Sequence, residues 1–555
     1  MAGLALIVAC TAVPAPETTT TTKAASTTVP PTTTTVAVTT AVWAADPDFT
    51  LRVGVEAGEA DAYGVPQQPS LYRLVPPTAT LIPLLAVEAE PPLGHATDDG
   101  WEIIVPLRPW VTWDDGTPVI AGDVVASFQR GAYARGLDLL RAVEAVDNHT
   151  VRLLWEERPT IEEWQLGVAL APIVPAGYTP EATDLPTTGP YRLAEVDSDG
   201  WALEAVSGWW EAGSTITVWE NAAVAYRNPT LDLKETYGEP AGEVVAEWTL
   251  GPYASRVEYR VFEDFNEISV AVVNGDLDLV LSKQTISRGL QLSFLELDDW
   301  AFTGGPSSTL YWVAFNTLKR PFNDLAARRA ATCSFDPQFL GETVLAGAGI
   351  PAGWGTGLGP WQTTAEPVCG AQRNPGILED HKVKTISLGP GYNPLAATSG
   401  LWVGKWLSDL GADVLPYPGS DSSPWRMAEQ LADPEAWNVA IISTEIDPIR
   451  LVIDPEEVSR VTGWHPPGAR LLAELTHNAY TLATAQEATR RLQQLWAEDV
   501  PSVPLFQWRF IELFNVSTIA PPFLSRDGDG YTTPLLDGLQ AWESWVIPAT
   551  RPAGG

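Results

Sequence analysis

The chain has 555 residues, more than a single hydrophobic core usually serves, so two or three lobes are expected. Its 33 basic and 69 acidic residues give a net charge of −36, and the resulting repulsion argues against nucleic acids and anionic lipid surfaces as partners. Its three cysteines and five histidines form no Cys-x-x-Cys motif and no cluster, so we expect no metal site and no cofactor.

The N-terminus is a short apolar run, MAGLALIVAC, that closes on small residues and Cys10. This pattern resembles the lipobox of bacterial lipoproteins, in which the cysteine is lipidated; an ordinary signal peptide and a buried strand are the alternatives. Residues 11–46 are rich in Thr, Pro, Ala and Val without an amphipathic period, which predicts a disordered tether. We therefore expect residues 1–10 to be a lipoprotein signal segment, and the protein to be held outside the cytoplasm, in the periplasm or at the cell surface, by an N-terminal lipid.

The body alternates short β-branched runs with helical stretches, which is typical of an α/β protein. LRVGVEA at 51–57 predicts a first strand, and WEIIVPL at 101–107 and TVRLLWE at 150–156 predict two more. SVPLFQW at 502–508 predicts a strand near the end of the chain. With no second low-complexity linker, we expect the lobes to be interleaved in sequence.

Two helices in the C-terminal half can be placed by their signals. Trp402, Trp406 and Leu410 repeat at four-residue spacing, and Gly411 predicts the end of that helix. The sequence TAQE at 484–487 has the pattern of a capping box and predicts the start of a second helix.

The segment WVTWDDGTPVIAGDVV at 110–125 contains three carboxylates, Asp114, Asp115 and Asp123. Paired carboxylates could serve a glycoside hydrolase, with two acids about 5 to 9.5 Å apart. However, Asp115-Gly116 is a strong turn signal, and Asp123 stands where a carboxylate meets the positive end of a helix dipole. We expect structural roles for these acids, and a hydrolase is the less favoured alternative.

The string from Trp101 to Phe128 resembles the signature of the family 5 solute-binding proteins of ABC importers, the receptors for oligopeptides, dipeptides and nickel. It has an aromatic strand, Leu-Arg-Pro, a Trp, Asp-Gly, and Asp-Val leading into a helix. Ile120 departs from the family, which commonly has Thr as the cap of that helix. Further motifs follow in the family's order at 188–191 (TGPY), 209–210 (WW), 275–278 (GDLD) and 315–328 (FNT to PF-x-D-x-x-x-R).

The resemblance implies an α/β fold, a two-lobed periplasmic-binding-protein-like (class II) clamp with an extra subdomain in the first lobe. Two crossing strands near 304–311 and 501–507 would act as its hinge, and closure would capture the ligand. The implied division is lobe I at 47–70, 186–304 and 508–555, the lobe I subdomain at 71–185, and lobe II at 305–507.

The same resemblance implies a monomeric receptor that passes a ligand, a peptide in the leading interpretation, to an ABC permease driven by ATPase subunits. An oligosaccharide or other small-solute receptor and a ligand sensor are the alternatives. The sequence has no GxSxG, no HExxH and no complete P-loop, which supports a binding protein and not an enzyme. Its histidines are scattered singly, which disfavours a nickel site.

Peptide binders of this family hold the ligand's α-ammonium with an acid of lobe II. The corresponding segment here is AIISTEIDPIRLVIDP at 440–455. Asp447 matches the family's closing Asp-Pro, but Thr444 occupies the first Asp position and Glu445 the aromatic position. Glu445 and Asp447 are therefore the candidate ligands for an amine.

The remaining candidates lie outside that acidic segment. Tyr72, Trp354 and Trp425 are aromatic residues on predicted loops that could stack on a ligand, with packing as the alternative for each. Cys333 and Cys369 could form a disulfide in an exported chain.

Overall fold

A computed structural model describes the greater part of the chain after residue 45. The described residues are 46–57, 68–75, 80–88, 94–130, 139–161, 163–178, 185–282, 297, 299–304, 306–345, 347, 349–352, 376–388, 394–416, 431, 433, 435–445, 455–509, 511–520, 525–527, 530–532 and 547–548. The predictions for the lipobox cysteine, the tether, Trp354, Cys369, Trp425 and Asp447 fall outside these residues.

A nine-stranded sheet collects strands from both ends and the middle of the chain. In spatial order it contains β25 (Ser525–Asp527), β26 (Gly530–Thr532), β16 (Trp300–Gly304), β23 (Ile511–Asn515), β15 (Leu279–Ser282), β1 (Asp46–Glu56), β14 (Ala254–Phe262), β9 (Gly200–Ala205) and β8 (Tyr191–Val196). Strands this distant in sequence can share a sheet only if the chain leaves and returns, as expected for interleaved lobes.

A six-stranded sheet is built from the intervening residues. In spatial order it contains β18 (Gly349–Pro351), β22 (Ser502–Arg509), β17 (Pro306–Phe315), β21 (Val439–Glu445), β19 (Lys382–Leu388) and β20 (Asp413–Pro416).

Smaller sheets flank these two. One four-stranded sheet has the order β4 (His95–Thr97), β5 (Gly100–Pro106), β7 (Thr150–Trp155) and β6 (Leu140–Asp147). Another has the order β12 (Leu233–Tyr237), β11 (Val224–Asn228), β10 (Thr215–Trp219) and β13 (Val244–Thr249). The two-stranded pairs are β2 (Tyr72–Val75) with β3 (Thr80–Pro83), and β24 (Ile519–Ala520) with β27 (Ile547–Pro548). The four strands predicted from the sequence are confirmed as β1, β5, β7 and β22.

The described helices lie mostly in the second half of the chain. They are α1 (Ala121–Gln129), α2 (Phe265–Val273), α3 (Leu325–Ser334), α4 (Pro394–Asp409), α5 (Pro455–Thr462), α6 (Ala469–Asn478) and α7 (Leu482–Asp499), with π-helical segments at Glu163–Ala169 and Phe339–Val344. Among the described residues, no helix combines the length and the apolar character that crossing a membrane requires.

One of the two predicted helices is confirmed and the other needs a correction. α4 ends just before Gly411, which has the positive φ of +96° expected after a helix. α7 begins at Leu482, one turn earlier than predicted, because Thr481 is its N-cap and accepts a hydrogen bond from the Thr484 N–H at 3.2 Å. The predicted capping box at 484–487 is therefore wrong.

The GDLD motif, which lies between α2 and β15, contacts the first strand, β1. The Asp278 carboxylate, only 1% exposed, accepts hydrogen bonds from the backbone N–H and from Nε and Nη2 of Arg52, at 2.9, 2.9 and 2.8 Å. Arg52 also donates to the Gly275 carbonyl at 2.9 Å. The motif thus holds β15 beside β1 through a charged, two-pronged contact.

The motif that ends in Arg328 closes off the last long helix. The buried Arg328 guanidinium donates to the carbonyls of Asp499, Val500 and Phe322 at 2.8 to 3.1 Å. Asp499 ends α7, and Val500 has a left-handed φ of +49°. Arg328 therefore satisfies carbonyls that the helix end leaves unpaired, and burial lowers its pKa below the ordinary value.

Candidate ligand-binding site

The chain leaves one large sheet and enters the other twice, each time with one residue between the described strand ends. β16 ends at Gly304 in the nine-stranded sheet, and β17 begins at Pro306 in the six-stranded sheet. β22 ends at Arg509, and β23 begins at Ile511 back in the nine-stranded sheet. Pro306 pairs with Arg509, so the two connections lie side by side. Paired connections of this kind can serve as a hinge, and bending at them stays a prediction.

Among the strands of the nine-stranded sheet, β1, β14, β15 and β16 end on the side of these connections. β14 and β15 run parallel to β1, and β16 has the same direction because both β15 and β16 are antiparallel to β23. All four therefore end at the edge from which β16 leads into β17. The residues at those ends are Glu56, Phe262, Ser282 and Gly304.

Four strands of the six-stranded sheet also end next to these connections. β20 and β21 run parallel to β19, and β22 has the direction of β21 because β17 is antiparallel to both. These four strands end at the edge where β17 begins. Thr309 pairs with Glu445, and Leu310 pairs with both Thr444 and Gln507.

Ligands of open α/β sheets bind outside the carboxyl ends of parallel strands. Here the carboxyl edges of two such sheets adjoin the same pair of chain connections. We therefore take the region between these two edges, which we call the cleft, as the candidate ligand-binding site.

The predicted acidic segment begins at the cleft. Glu445 is the last residue of β21, and Thr444 precedes it opposite Leu310. Asp447 lies two residues further on, outside the described residues. The ligand roles of Glu445, Asp447, Trp354 and Trp425 stay predictions.

Tyr72 and Cys333 are the other predicted residues that can be located. Tyr72 lies in β2, is fully buried, and packs edge-on against Trp164 with ring centroids 5.9 Å apart. Its position suits the packing alternative, and its ligand role stays a prediction. Cys333, in α3, is disulfide-bonded. Its partner lies outside the described residues, so the pairing with Cys369 stays a prediction.

Asp114 and Asp115, the two adjacent acids of the segment at 110–125, hold a turn, as predicted. Asp115 accepts hydrogen bonds from the hydroxyl and the backbone N–H of Thr117 at 2.6 and 2.8 Å, which keep the pKa of Asp115 below its usual value. Gly116 has a φ of +85°, which favours glycine. Asp114 accepts the Thr187 N–H at 2.9 Å and so ties the turn to the TGPY strand.

The third acid secures the start of α1. One oxygen of Asp123 accepts the Ile120 N–H at 3.0 Å and the Trp113 indole N–H at 3.2 Å, and the other accepts the Ala176 N–H at 2.8 Å. Asp123 thus caps the backbone N–H of Ile120, and the first N–H of the helix, that of Ala121, donates to the Asn148 carbonyl at 2.8 Å in place of a side-chain cap. All three acids have structural partners, which confirms the prediction and removes the reason to consider them catalytic.

Sequence reasoning missed Glu56 and Trp508. Glu56, at the carboxyl end of β1, is 9% exposed, and its Oε2 has no hydrogen-bond partner within the described ranges. Burial, with a smaller effect of nearby Asp264, raises the pKa of Glu56. Trp508, near the carboxyl end of β22, has a buried indole N–H that also lacks a partner in the described part of the chain. The sequence signal for Glu56 was an acid that closes an apolar strand run.

Among the residues that the structure describes, no group of three or more His, Cys, Asp and Glu residues is placed to hold a metal ion.

Two α/β halves joined by paired crossing strands, with carboxyl edges adjoining the same connections, define a periplasmic-binding-protein-like clamp with an extra subdomain in its first lobe. Residues 80–375, more than half of the chain, match the model of the bacterial extracellular solute-binding proteins, family 5 (middle region). The chain belongs to this family, whose members are binding proteins and not enzymes.

Among characterised proteins, the chain is similar to the periplasmic oligopeptide-binding protein OppA of Escherichia coli K12. The two are 25% identical over 276 residues, which are 44% of this chain and 44% of OppA. The similar region thus spans less than half the length of that relative.

Solved structures show the same fold over nearly the whole chain. An ABC transporter substrate-binding protein from Sinorhizobium meliloti has a TM-score of 0.65 at 15% identity, covering 90% of this chain and 100% of its own. A nickel ABC transporter protein from Bacillus halodurans has a TM-score of 0.64 at 14% identity, covering 85% of this chain and 96% of its own. At these identities the likeness concerns the fold alone.

Proposed function

We propose that the protein is a lipid-anchored extracytoplasmic receptor that captures a peptide and delivers it to an ABC-type importer. The observation that carries this proposal is the cleft, where the carboxyl edges of two parallel strand groups adjoin one pair of connections in a chain of family 5. A receptor needs such a site together with a way to close it, and bending at the strand connections would provide that closure.

The proposed lobes follow the sheets. Lobe I holds the nine-stranded sheet, lobe II holds the six-stranded sheet, and residues 71–185 form the subdomain of lobe I. Bending at residues 304–306 and 509–511 would bring the two carboxyl edges together on a ligand. The closed receptor, a monomer, would then dock on permease and ATPase subunits.

A peptide is the proposed ligand for two reasons. OppA, to which the chain is similar, is an oligopeptide-binding protein, and Glu445 is the last residue of a strand that ends at the cleft. Glu445 or Asp447 would accept the peptide's ammonium in a charge-assisted hydrogen bond.

Thr444 favours a second candidate within the same class. It stands where the family's peptide binders have an acid, and a hydroxyl suits an uncharged ligand such as an oligosaccharide equally well. A receptor for an oligosaccharide or another small solute, and a sensor that reports the ligand without transport, are therefore the alternatives.

Anchoring is proposed from the N-terminal pattern. Lipidation of Cys10 would hold the receptor at the membrane, and the Thr- and Pro-rich residues 11–46 would act as a stalk. Replacing Cys10 by Ser should release the protein from cell membranes in fractionation, whereas an unchanged membrane fraction would argue against the anchor.

Thermal-shift screening with peptide and oligosaccharide libraries tests the choice of ligand. A peptide that raises the melting temperature in a dose-dependent way supports the proposal, because binding to the folded state alone stabilises it. With such a peptide, Asp447→Asn and Glu445→Gln should separate the two acids. Loss of affinity in neither variant would remove the proposed amine site in lobe II.

A further inference from the structure

Glu56 lies at the cleft on the face of β1 that α2 covers. Alternate strand residues share a face, so Glu56 lies on the same side as Gly54. A Cβ added to Gly54 would lie 2.7 Å from the Leu277 side chain, which belongs to the cluster containing Ile268 and Val272 of α2. Glu56 is thus placed between the carboxyl end of a central strand and a helix.

This carboxyl group differs from the other acid in contact with the same strand. Asp278 has Arg52 as a full ion-pair partner, whereas no described cation lies in an ion pair with Glu56. Glu56 is only 9% exposed. Its Oε2 is buried and has no hydrogen-bond partner among the described residues. A buried carboxylate without a partner costs free energy, and a cation placed beside it would recover that cost.

The surroundings favour a cation over any other ligand group. The charged group that acts on Glu56 within the described structure is Asp264, the N-cap of α2, which is itself negative. One Asp264 oxygen is already engaged by the backbone N–H groups of Asn266 and Glu267, at 2.8 and 3.1 Å. Two neighbouring carboxylates, one of them buried and without a partner in the described part of the chain, repel anions and attract a cation.

We infer that Glu56 is the residue of lobe I that recognises a cationic group of the ligand, an ammonium or a guanidinium. The inference rests on the proposed receptor function. It adds that lobe I supplies a negative charge to the cationic group of the ligand. It also accounts for Thr444, because a lobe II strand that lacks the family's acid can be complemented by an acid in lobe I.

Titration calorimetry with three probes tests this role. The probes are trialanine, whose amino group is charged, N-acetyl-trialanine, which lacks that charge, and spermidine, a cation without peptide bonds. The variants are Glu56→Gln, which removes the charge but keeps the shape, and Glu263→Gln, the same change at an exposed residue beside the N-cap of α2. About 0.5 M salt suppresses the long-range attraction of the acidic protein for all cations.

The wild type should bind trialanine about tenfold or more tightly than its acetylated form, since a charge-assisted hydrogen bond is lost on acetylation. Glu56→Gln should reduce that difference, with the remainder due to Glu445 or Asp447 of lobe II, and Glu263→Gln should preserve it. If Glu56→Gln binds trialanine like the wild type, the inference fails and the peptide receptor stands. If only spermidine binds, and does so through Glu56, the peptide receptor fails and the cation site stands. Binding of none of the probes overturns both.

Proton release separates recognition from a merely structural role. Because the pKa of Glu56 is raised, a cation must displace its proton in the pH range just above the ordinary pKa of a glutamate. In that range, trialanine binding by the wild type should release protons, measured in buffers of different ionisation enthalpy, and its affinity should rise with pH. Glu56→Gln should release none, and equal release by both proteins would overturn the assignment.

Discussion

Thr309 lies directly opposite Glu445, where the first residues of β17 meet the last residue of β21. This pairing brings the acidic segment to the place where the chain enters the six-stranded sheet from the nine-stranded one. Because β17 starts only two residues after β16 ends, the ligand candidates of lobe II and the strand ends of lobe I adjoin the same connections. The cleft is therefore a consequence of strand direction.

Asp123 should be essential to the subdomain while Asp115 should not. Asp123→Ala leaves a buried indole N–H and two backbone N–H groups without their acceptor, so it should lower the free energy of unfolding by about 3 kcal/mol. The control Asp115→Asn, in the exposed turn, should cost less than about 1 kcal/mol. Urea denaturation measures both, and equal losses would refute the different roles assigned to these acids.

Asp278 should stabilise the nine-stranded sheet through Arg52. Asp278→Asn removes the charge that three Arg52 N–H groups contact, and the partial exposure of Arg52 moderates the loss to about 2 kcal/mol. Asp276→Asn, an exposed neighbour in the same motif, is the matched control. An Asp278 variant as stable as its control would contradict the proposed link between β1 and β15.

Arg328 and Arg329 are neighbours in α3 that differ in burial and in the carbonyls they contact. Arg328→Ala leaves the buried carbonyls at the end of α7 unpaired, and we expect a loss of about 3 kcal/mol in the free energy of unfolding. Arg329 donates to the Glu498 carbonyl from an exposed position, so Arg329→Ala should cost less than about 1 kcal/mol. The reverse order of stabilities would show that the carbonyl contacts do not matter.

Glu56 should make the unliganded protein less stable as pH rises. Its folded-state pKa is raised, so between the ordinary Glu pKa and the raised value the folded state holds a proton that the unfolded state has lost. Stability therefore falls across that window, and Glu56→Gln should become the more stable protein above it while matching the wild type in acid. Denaturation curves over a pH series measure the difference. If the free energies of unfolding of the wild type and Glu56→Gln change with pH by the same amount, burial of the Glu56 carboxylate carries no cost.

Local signals predicted individual elements well. The apolar runs of β1, β5, β7 and β22, the Asp115-Gly116 turn and the helix end before Gly411 all depend on neighbours in sequence. The start of α7 was misplaced because Thr481 and Thr484 are both good capping residues, and only the structure shows which hydroxyl accepts the backbone N–H.

Long-range relationships could not be predicted in the same way. β1 pairs with β14 and β15, more than 200 residues away, and the register that brings Arg52 to Asp278 depends on packing between distant segments. The burial of Glu56 is likewise a property of the assembled sheet and α2. Sequence motifs therefore led to the family, while the burial of Glu56 at the carboxyl end of β1 became visible only in the fold.

The central claim is that this clamp is a receptor for peptides. Native mass spectrometry of the gently purified protein, alone and after incubation with a mixed pool of short peptides, tests it most directly. We predict a complex of one protein with one peptide, displaced by a second peptide and lost on unfolding. A protein that takes up no peptide from the pool, and whose spectra instead show reproducible cleavage of an added glycoside, would contradict the claim.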